Sequence, residues 1–323
     1  MIPPQPAACL AALLLLSANA PAEPLVFREL CDASAAVAVN SDLFVVANDE
    51  DNLLRFYRLS QPGAPVHVYE VGPSARKRKK PPEMDIEGAA RIGSRVFWTS
   101  SHGQNADGEF APNRHRLFAL DISDGADGVR VRPVGTAYTN LVADMAREPR
   151  LARFRLEHAA LKKPKTRGGL NIEALTDTPD GALLIGFRNP IPENRALLVP
   201  LLNPDEVLTD KPAQFGDPIL LDLGGLGLRG MGSTRSGYYL IAGPASGEAE
   251  SRLFFWRGGE AVPERLSNVS FAGLNPEGMC FHDSDDHTDF LLLSDDGTRN
   301  LNGKDCKDLP ASERQFRAVR IPK

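Results

Sequence analysis

Hydrophobic residues in this chain fall into short runs with turn residues between them. Val45-Val46-Ala47, Val96-Phe97-Trp98-Thr99, Ala182-Leu183-Leu184-Ile185-Gly186, Tyr238-Tyr239-Leu240-Ile241 and Phe290-Leu291-Leu292-Leu293 each have the length and composition of a strand. Turn signals stand ahead of three of these runs, at Gly93-Ser94, Pro179-Asp180-Gly181 and Ser236-Gly237. After a polar loop comes a further apolar strand, as in Arg116–Leu120, Ala196–Pro200 and Arg252–Trp256. The order small-residue strand, turn, apolar strand, polar loop, strand then recurs along the chain. It predicts hairpins joined into meanders.

The small-residue strands resemble one another. Asp85-Ile86-Glu87-Gly88-Ala89, Asn171-Ile172-Glu173-Ala174-Leu175 and Asn275-Pro276-Glu277-Gly278-Met279 carry a glutamate at the same place. Two weaker copies lie at Ser34–Ala38, with Ala35 aligned to the glutamates, and at Leu228-Arg229-Gly230-Met231. Self-similarity of this kind marks one supersecondary unit stacked several times, and a propeller blade takes about 40–50 residues. The interval from Glu87 to Glu173 is 86 residues. It holds one blade plus an insertion, or two blades with one degenerate. Leu141, Met145, Leu151, Phe154 and Leu161 give the segment 139–161 a helical reading. The expected fold is all-β: a single β-propeller of five or six four-stranded blades, with a short helical insertion near 139–161. Arg317–Ile321 is the expected last strand, sharing a blade with the region around Leu25–Phe27.

Composition narrows the function classes. The chain has 323 residues and a net charge of −5, with 28 glycines and 26 prolines suiting a turn-rich β protein. An acidic balance gives no general attraction to nucleic acid or anionic lipid. Residues 1–22 read as a signal peptide, with an apolar run from Cys9 to Leu16 and small residues at Ala20-Pro21-Ala22. That run is too short to span a bilayer. Residues 23–323 form the expected propeller domain of an exported protein, periplasmic or secreted, and the expected form is a monomer. Cleavage leaves Cys31, Cys280 and Cys306, enough for one disulfide and one thiol. Cys280–Cys306 is the more local pair, and Cys31–Cys280 is open if the chain ends meet.

Gly168–Leu175, Gly186-Phe187-Arg188-Asn189-Pro190, Asp85–Ala89 with Ser101-His102-Gly103, and Leu228-Arg229-Gly230 together resemble the bacterial family catalogued as domain of unknown function 3616. The resemblance runs from about Leu43 to Ile321. That family is similar to exported propellers such as the esterase-like domains named after phytase. The resemblance implies a propeller with an unassigned activity and names no substrate. The chain departs from its own repeat at Ala174, where the sister copies have Gly88 and Gly278.

In a propeller the first strand of each blade lines the channel. Glu87, Glu173, Glu277 and Arg229 are therefore expected around the axis, and the ring is mixed in charge. The loops after the second strands bring Asn48-Asp49, Ser101-His102, Arg188-Asn189 and Ser294-Asp295-Asp296 to one mouth. Glu87, Glu173, Glu277, Asn48, Asp49 and Asp295 are the candidate ligands of a metal, with Ca²⁺ the best match for an all-oxygen set. Glu87, Glu173, Glu277, Arg188, Arg229, His102 and Asn189 are the candidate contacts of a small-molecule or anionic ligand. His102, Glu173 and Arg188 are the catalytic candidates if the site turns over. The expected function is binding of a small anionic or metal-complexed ligand at the channel mouth. The alternatives are metal-dependent hydrolysis of a phosphoester or related ester, and a protein-interaction propeller with a purely structural axial cluster. Whether the protein is an enzyme is left open by the sequence. Arg76–Lys80 reads as a solvated basic loop, Asp283–His287 as a polar hairpin loop, and Asn268-Val269-Ser270 as a glycosylation acceptor only in a eukaryotic secretory pathway. Serine-elbow, Walker, dinucleotide and HExxH motifs do not occur.

Overall fold

The computed structural model describes residues 23–72, 82–246, 250–267, 269, 271, 273–282 and 289–322. The expected signal peptide, residues 1–22, with Arg76–Lys80, Asp283–His287 and two of the three residues of the 268–270 sequon, lies outside the described residues.

Five four-stranded antiparallel sheets form a five-bladed β-propeller. After β1 (Leu25–Arg28), the first blade is β2 (Ala33–Ala38), β3 (Leu43–Asn48), β4 (Leu53–Arg58) and β5 (His67–Glu70). The second is β6 (Ile86–Ile92), β7 (Arg95–Ser100), β8 (Leu117–Gly125) and β9 (Gly128–Tyr138). Helices α1 (Leu141–Arg147) and α2 (Leu156–Ala159) follow, with a 3₁₀ segment, Pro149–Phe154, between them. The third blade is β10 (Asn171–Asp177), β11 (Leu183–Asn189), β12 (Ala196–Leu201) and, after α3 (Pro204–Val207), β13 (Ile219–Leu221). The fourth is β14 (Gly227–Thr234), β15 (Gly237–Gly243), β16 (Arg252–Trp256) and β17 (Glu264–Arg265). The fifth holds β18 (Pro276–Cys280) and β19 (Asp289–Ser294), a small hairpin of β20 (Asn300–Leu301) and β21 (Lys304–Asp305), then β22 (Gln315–Pro322). Its outer strand is β1, paired from Leu25↔Ala318 to Arg28↔Gln315. The ring therefore closes between the two ends of the chain, which leaves no open edge between first and last blades.

Of the two blade counts open from the sequence, five is the observed one. The long interval is one blade plus the helical insertion, whose Leu141, Met145, Leu151, Phe154 and Leu156 fill the space between the second and third blades. The core is five apolar clusters, each centred on one interface between neighbouring blades. The second strands are buried along their length, save the first residues of β7 and β19, because each has a blade on both faces, which is why they read as apolar runs. The disulfide corrects the sequence expectation. It joins Cys31 to Cys306, a pair separated by 275 positions in sequence, and Cys280 lies outside it with Sγ 3.7 Å from His282 Nε2. Sequence distance misled here because ring closure makes the N-terminal end of blade one a neighbour of blade five. Among the described residues no helix is long and apolar enough to cross a membrane.

Candidate functional site

All five inner strands are broken at one equivalent residue. Pairing with the second strand slips at Ser34, Glu87, Glu173, Arg229 and Glu277, leaving each as the extra residue of a bulge. A bulge re-aims the side chain of its unpaired residue. Five bulges at one height build a ring, and the space at its centre is about 10 Å³, room for about one water. In the first blade the ring position is Ser34, one residue before the Ala35 aligned from sequence; Ser34 Oγ donates to Ile86 O at 2.6 Å. Above the ring opens a mouth of about 1020 Å³. At the other end of the inner strands lies a smaller depression of about 360 Å³.

One side of the ring is neutralised internally. Arg188 Nη1 donates to Glu173 Oε1 at 2.8 Å, Asn171 Nδ2 donates to the same oxygen at 2.5 Å, and Arg229 pairs with Glu277 while its Nε lies 3.6 Å from Glu173 Oε2. Arg229 Nη1 also donates to Asn275 Oδ1 at 2.6 Å, and Asn275 Nδ2 donates to Asp295 at 3.0 Å. Glu173, Arg188, Arg229 and Glu277 form one buried network, which Asn275 extends to Asp295.

The other side is different. Asp49, from the loop after β3, meets Asp85 and Glu87 so that one carboxylate oxygen from each lies within 4.8 Å of the others. Asp85 is held by Arg114 at 2.7 Å, and Arg114 also pairs with Glu83. Asp49 and Glu87 make no hydrogen bond or ion pair with any described residue, and Asp49 Oδ1 is fully enclosed. Burial pushes Glu87 well above the usual carboxylate range, helped by the charges of Glu173, Asp85 and Asp49. Asp49 is raised in the same way by burial and then by Asp295, Asp32 and Asp85. Burial lifts Asp85 to about 6 against the pull of Arg114. Carboxylates crowded without counter-charge favour the proton, or any cation that replaces it.

Glu87, Glu173, Glu277, Arg188, Arg229, Asp49 and Asp295 all line the mouth. Three sequence candidates do not. Asn48 is buried and its Oδ1 accepts from Glu50 N at 2.7 Å. His102 is fully buried against His115, with ring centroids 5.7 Å apart, and burial lowers it to about 3, so it is neutral. Asn189 donates to Pro164 O and Thr166 O, at 2.8 and 2.6 Å, and so fastens the loop before β10. Asp85, Arg114 and Lys165 line the mouth and were not among the sequence candidates. Asp85 had a signal, because it opens its repeat where the sisters have Asn171 and Asn275. Arg114 and Lys165 come from loops outside the repeat and had none.

The model of the family described as "Protein of unknown function (DUF3616)" matches residues 131–319, more than half of the chain. No curated protein matches. Among solved structures, a glutaminyl cyclase from Myxococcus xanthus aligns over 93% of this chain and 95% of its own at 12% identity, with a TM-score of 0.45. The major allergen Mala s 1 of Malassezia sympodialis aligns over 93% and 81% at 11% identity, TM-score 0.44. A protein of unknown function from Bacteroides caccae aligns over 88% and 73% at 11% identity, TM-score 0.36. Likeness at this level does not bear on chemistry.

Proposed function

The chain belongs to the DUF3616 family, and from its own geometry we propose that it binds a hard divalent cation, Ca²⁺ by preference, together with a small anionic ligand at the channel mouth. Asp49, Asp85 and Glu87 hold the cation. The observation that carries this reading is the accounting of charge: internal pairing satisfies Glu173 and Glu277 but leaves Asp49 and Glu87 converging on one point. Oxygen-only donors from carboxylates suit Ca²⁺, which tolerates irregular geometry and completes its shell with water or ligand oxygens. The Glu173–Arg188–Arg229–Glu277 network supports the walls of the mouth and fits a structural role. The disulfide supports an exported, oxidising location.

The test is calorimetric titration of the metal-stripped protein with Ca²⁺, Mn²⁺ and Zn²⁺, beside thermal melting. Ca²⁺ is expected to bind and to raise the melting temperature, with a chelator reversing both. Glu87→Gln is expected to abolish the response while remaining folded. Absence of binding by any of the three ions in the wild type would sink this reading.

The size of the mouth favours one further reading, since about 1020 Å³ far exceeds the needs of one ion. A cation at Glu87 would stand where it could polarise a phosphoryl or ester oxygen or activate a water. This metal-dependent hydrolase is checked by a phosphoester and lactone screen with each ion, where turnover must depend on Glu87.

A further inference from the structure

Nine carboxylates and six cations line the mouth, and five of the six cations are engaged. Arg114 is held by Glu83 and Asp85, Arg188 by Glu173, and Arg229 by Glu277. Lys307 pairs with Glu50 at 3.4 Å, and Lys163 Nζ donates to Ala106 O at 3.0 Å. Lys165 is exposed, lines the same cavity, and makes no hydrogen bond or ion pair with any described residue. Its charge acts at range, opposing the rise that burial gives Asp295 on the fifth-blade wall.

The backbone that presents Lys165 is fastened on both sides of it. Asn189, the last residue of β11, is itself buried and gives its amide hydrogens to the carbonyls immediately before and after the lysine. Thr166 Oγ1 donates to Lys163 O at 2.7 Å, and Gly169 N donates to Thr166 O at 2.9 Å, closing the loop on itself. The neighbouring chain passes at close range: a Cβ on Gly103 would stand 2.8 Å from both Leu170 O and Pro164 Cγ. A fixed backbone under an exposed, unpaired ammonium sets where that charge can reach without neutralising it.

We propose that Lys165 is the anion-recognising residue of the mouth, binding the phosphate or carboxylate of a small ligand whose other oxygens meet the cation, and that Asn189 is its positioning residue. This rests on the cation-binding reading above. An anion entering a mouth with more carboxylates than cations is repelled unless positive charge is available to it. The divalent ion supplies one such charge and Lys165 the other. An ammonium is a compact charge with three donors, suited to an oxyanion that approaches from varied directions.

Phenyl phosphate and benzoate are the probes, titrated into the wild-type protein with saturating Ca²⁺ and again with chelator. Lys165→Ala is expected to weaken the bound anion by about tenfold, the loss of one charge-assisted contact, with Ca²⁺ affinity unchanged. Lys165→Arg is expected to retain most of the binding. Asn189→Ala is expected to weaken the anion without altering Ca²⁺ affinity, and to add little in the Lys165→Ala background. A merely structural Asn189 would not show that coupling. If Asn189→Ala does not fold, the two lysine variants decide. Binding of either anion with this dependence supports the proposal. Equal affinity in wild type and Lys165→Ala overturns it, as does Ca²⁺ binding with no anion binding, which leaves the cation reading intact. Lys165-dependent anion binding in a protein that takes no Ca²⁺ supports the lysine's role and overturns the cation.

Discussion

Glu87 and Glu173 occupy equivalent bulges yet should behave oppositely when neutralised. Glu173 lies between two arginine side chains, 2.8 Å from Arg188 and 3.6 Å from Arg229. Glu173→Gln leaves that pair of buried guanidinium groups without their shared anion, and a loss of about 3–5 kcal/mol is expected in urea unfolding. Glu87→Gln removes a carboxylate with no partner, so the metal-free protein should stay within about 1 kcal/mol of wild type. Similar losses in the two variants would contradict the division of the ring. Asp32 gives a separate pH prediction. Burial and the charge of Asp295 raise it from 3.8 to about 7. The folded protein therefore holds a proton that the unfolded chain releases, and this contribution to stability is full below pH 3.8 and is lost as pH rises to about 7. With chelator present, Asp32→Asn should flatten the decline in the denaturation midpoint across that interval. An unchanged slope would show that Asp32 does not carry it.

Inner strands are built of small residues because five of them converge on one axis, and their tolerance differs from blade to blade. A Cβ at Gly88 would stand 2.9 Å from both Leu175 Cβ and Thr99 Cγ2, whereas at Gly278 the nearest atom is 3.4 Å away. Gly88→Ala is expected to cost about 1–3 kcal/mol through overpacking. Gly278→Ala should change stability by less than about 1 kcal/mol, since reduced freedom of the unfolded chain offsets the contact. Thermal melts of the two variants side by side check this. The third blade shows how the ring accommodates a larger residue: Ala174 stands opposite Gly186, where an added Cβ would lie 2.9 Å from the alanine's own.

At the scale of the molecule, closure is what turns five hairpin repeats into one mouth. β1 completes the fifth blade, and Phe27 packs within 5.3 Å of the rings of Phe44, Tyr57 and Phe316 from the first and last blades. The Cys31–Cys306 bond ties the same junction. Replacing both cysteines by serine is expected to cost about 2–5 kcal/mol, read as a lower denaturant midpoint that added reductant does not shift further. A midpoint equal to wild type would mean that strand pairing alone secures the seam.

The repeated Glu/Arg position, the blade order, the closing strand and the helical insertion were all legible in the sequence. They rest on local pattern, in the alternation of small and apolar strands and the turn chemistry between them. The sequence also placed most of the mouth, because residues at one repeat position must share one height around the axis. What it could not decide is which charges cancel. Asp49 and Glu87 are left without partners while Glu173 and Glu277 are not, because Arg188 from Glu173's own blade and Arg229 from the blade between the two glutamates stand against the latter pair only. His102, Asn48 and Asn189 lie at or just past the ends of the second strands, as the sequence implied, but point into packing and backbone contacts, and Lys165 arrived from a loop outside the repeat. Pattern along a chain determines strands and their order; the pairing of side chains across blades depends on distances that exist only once the ring has closed.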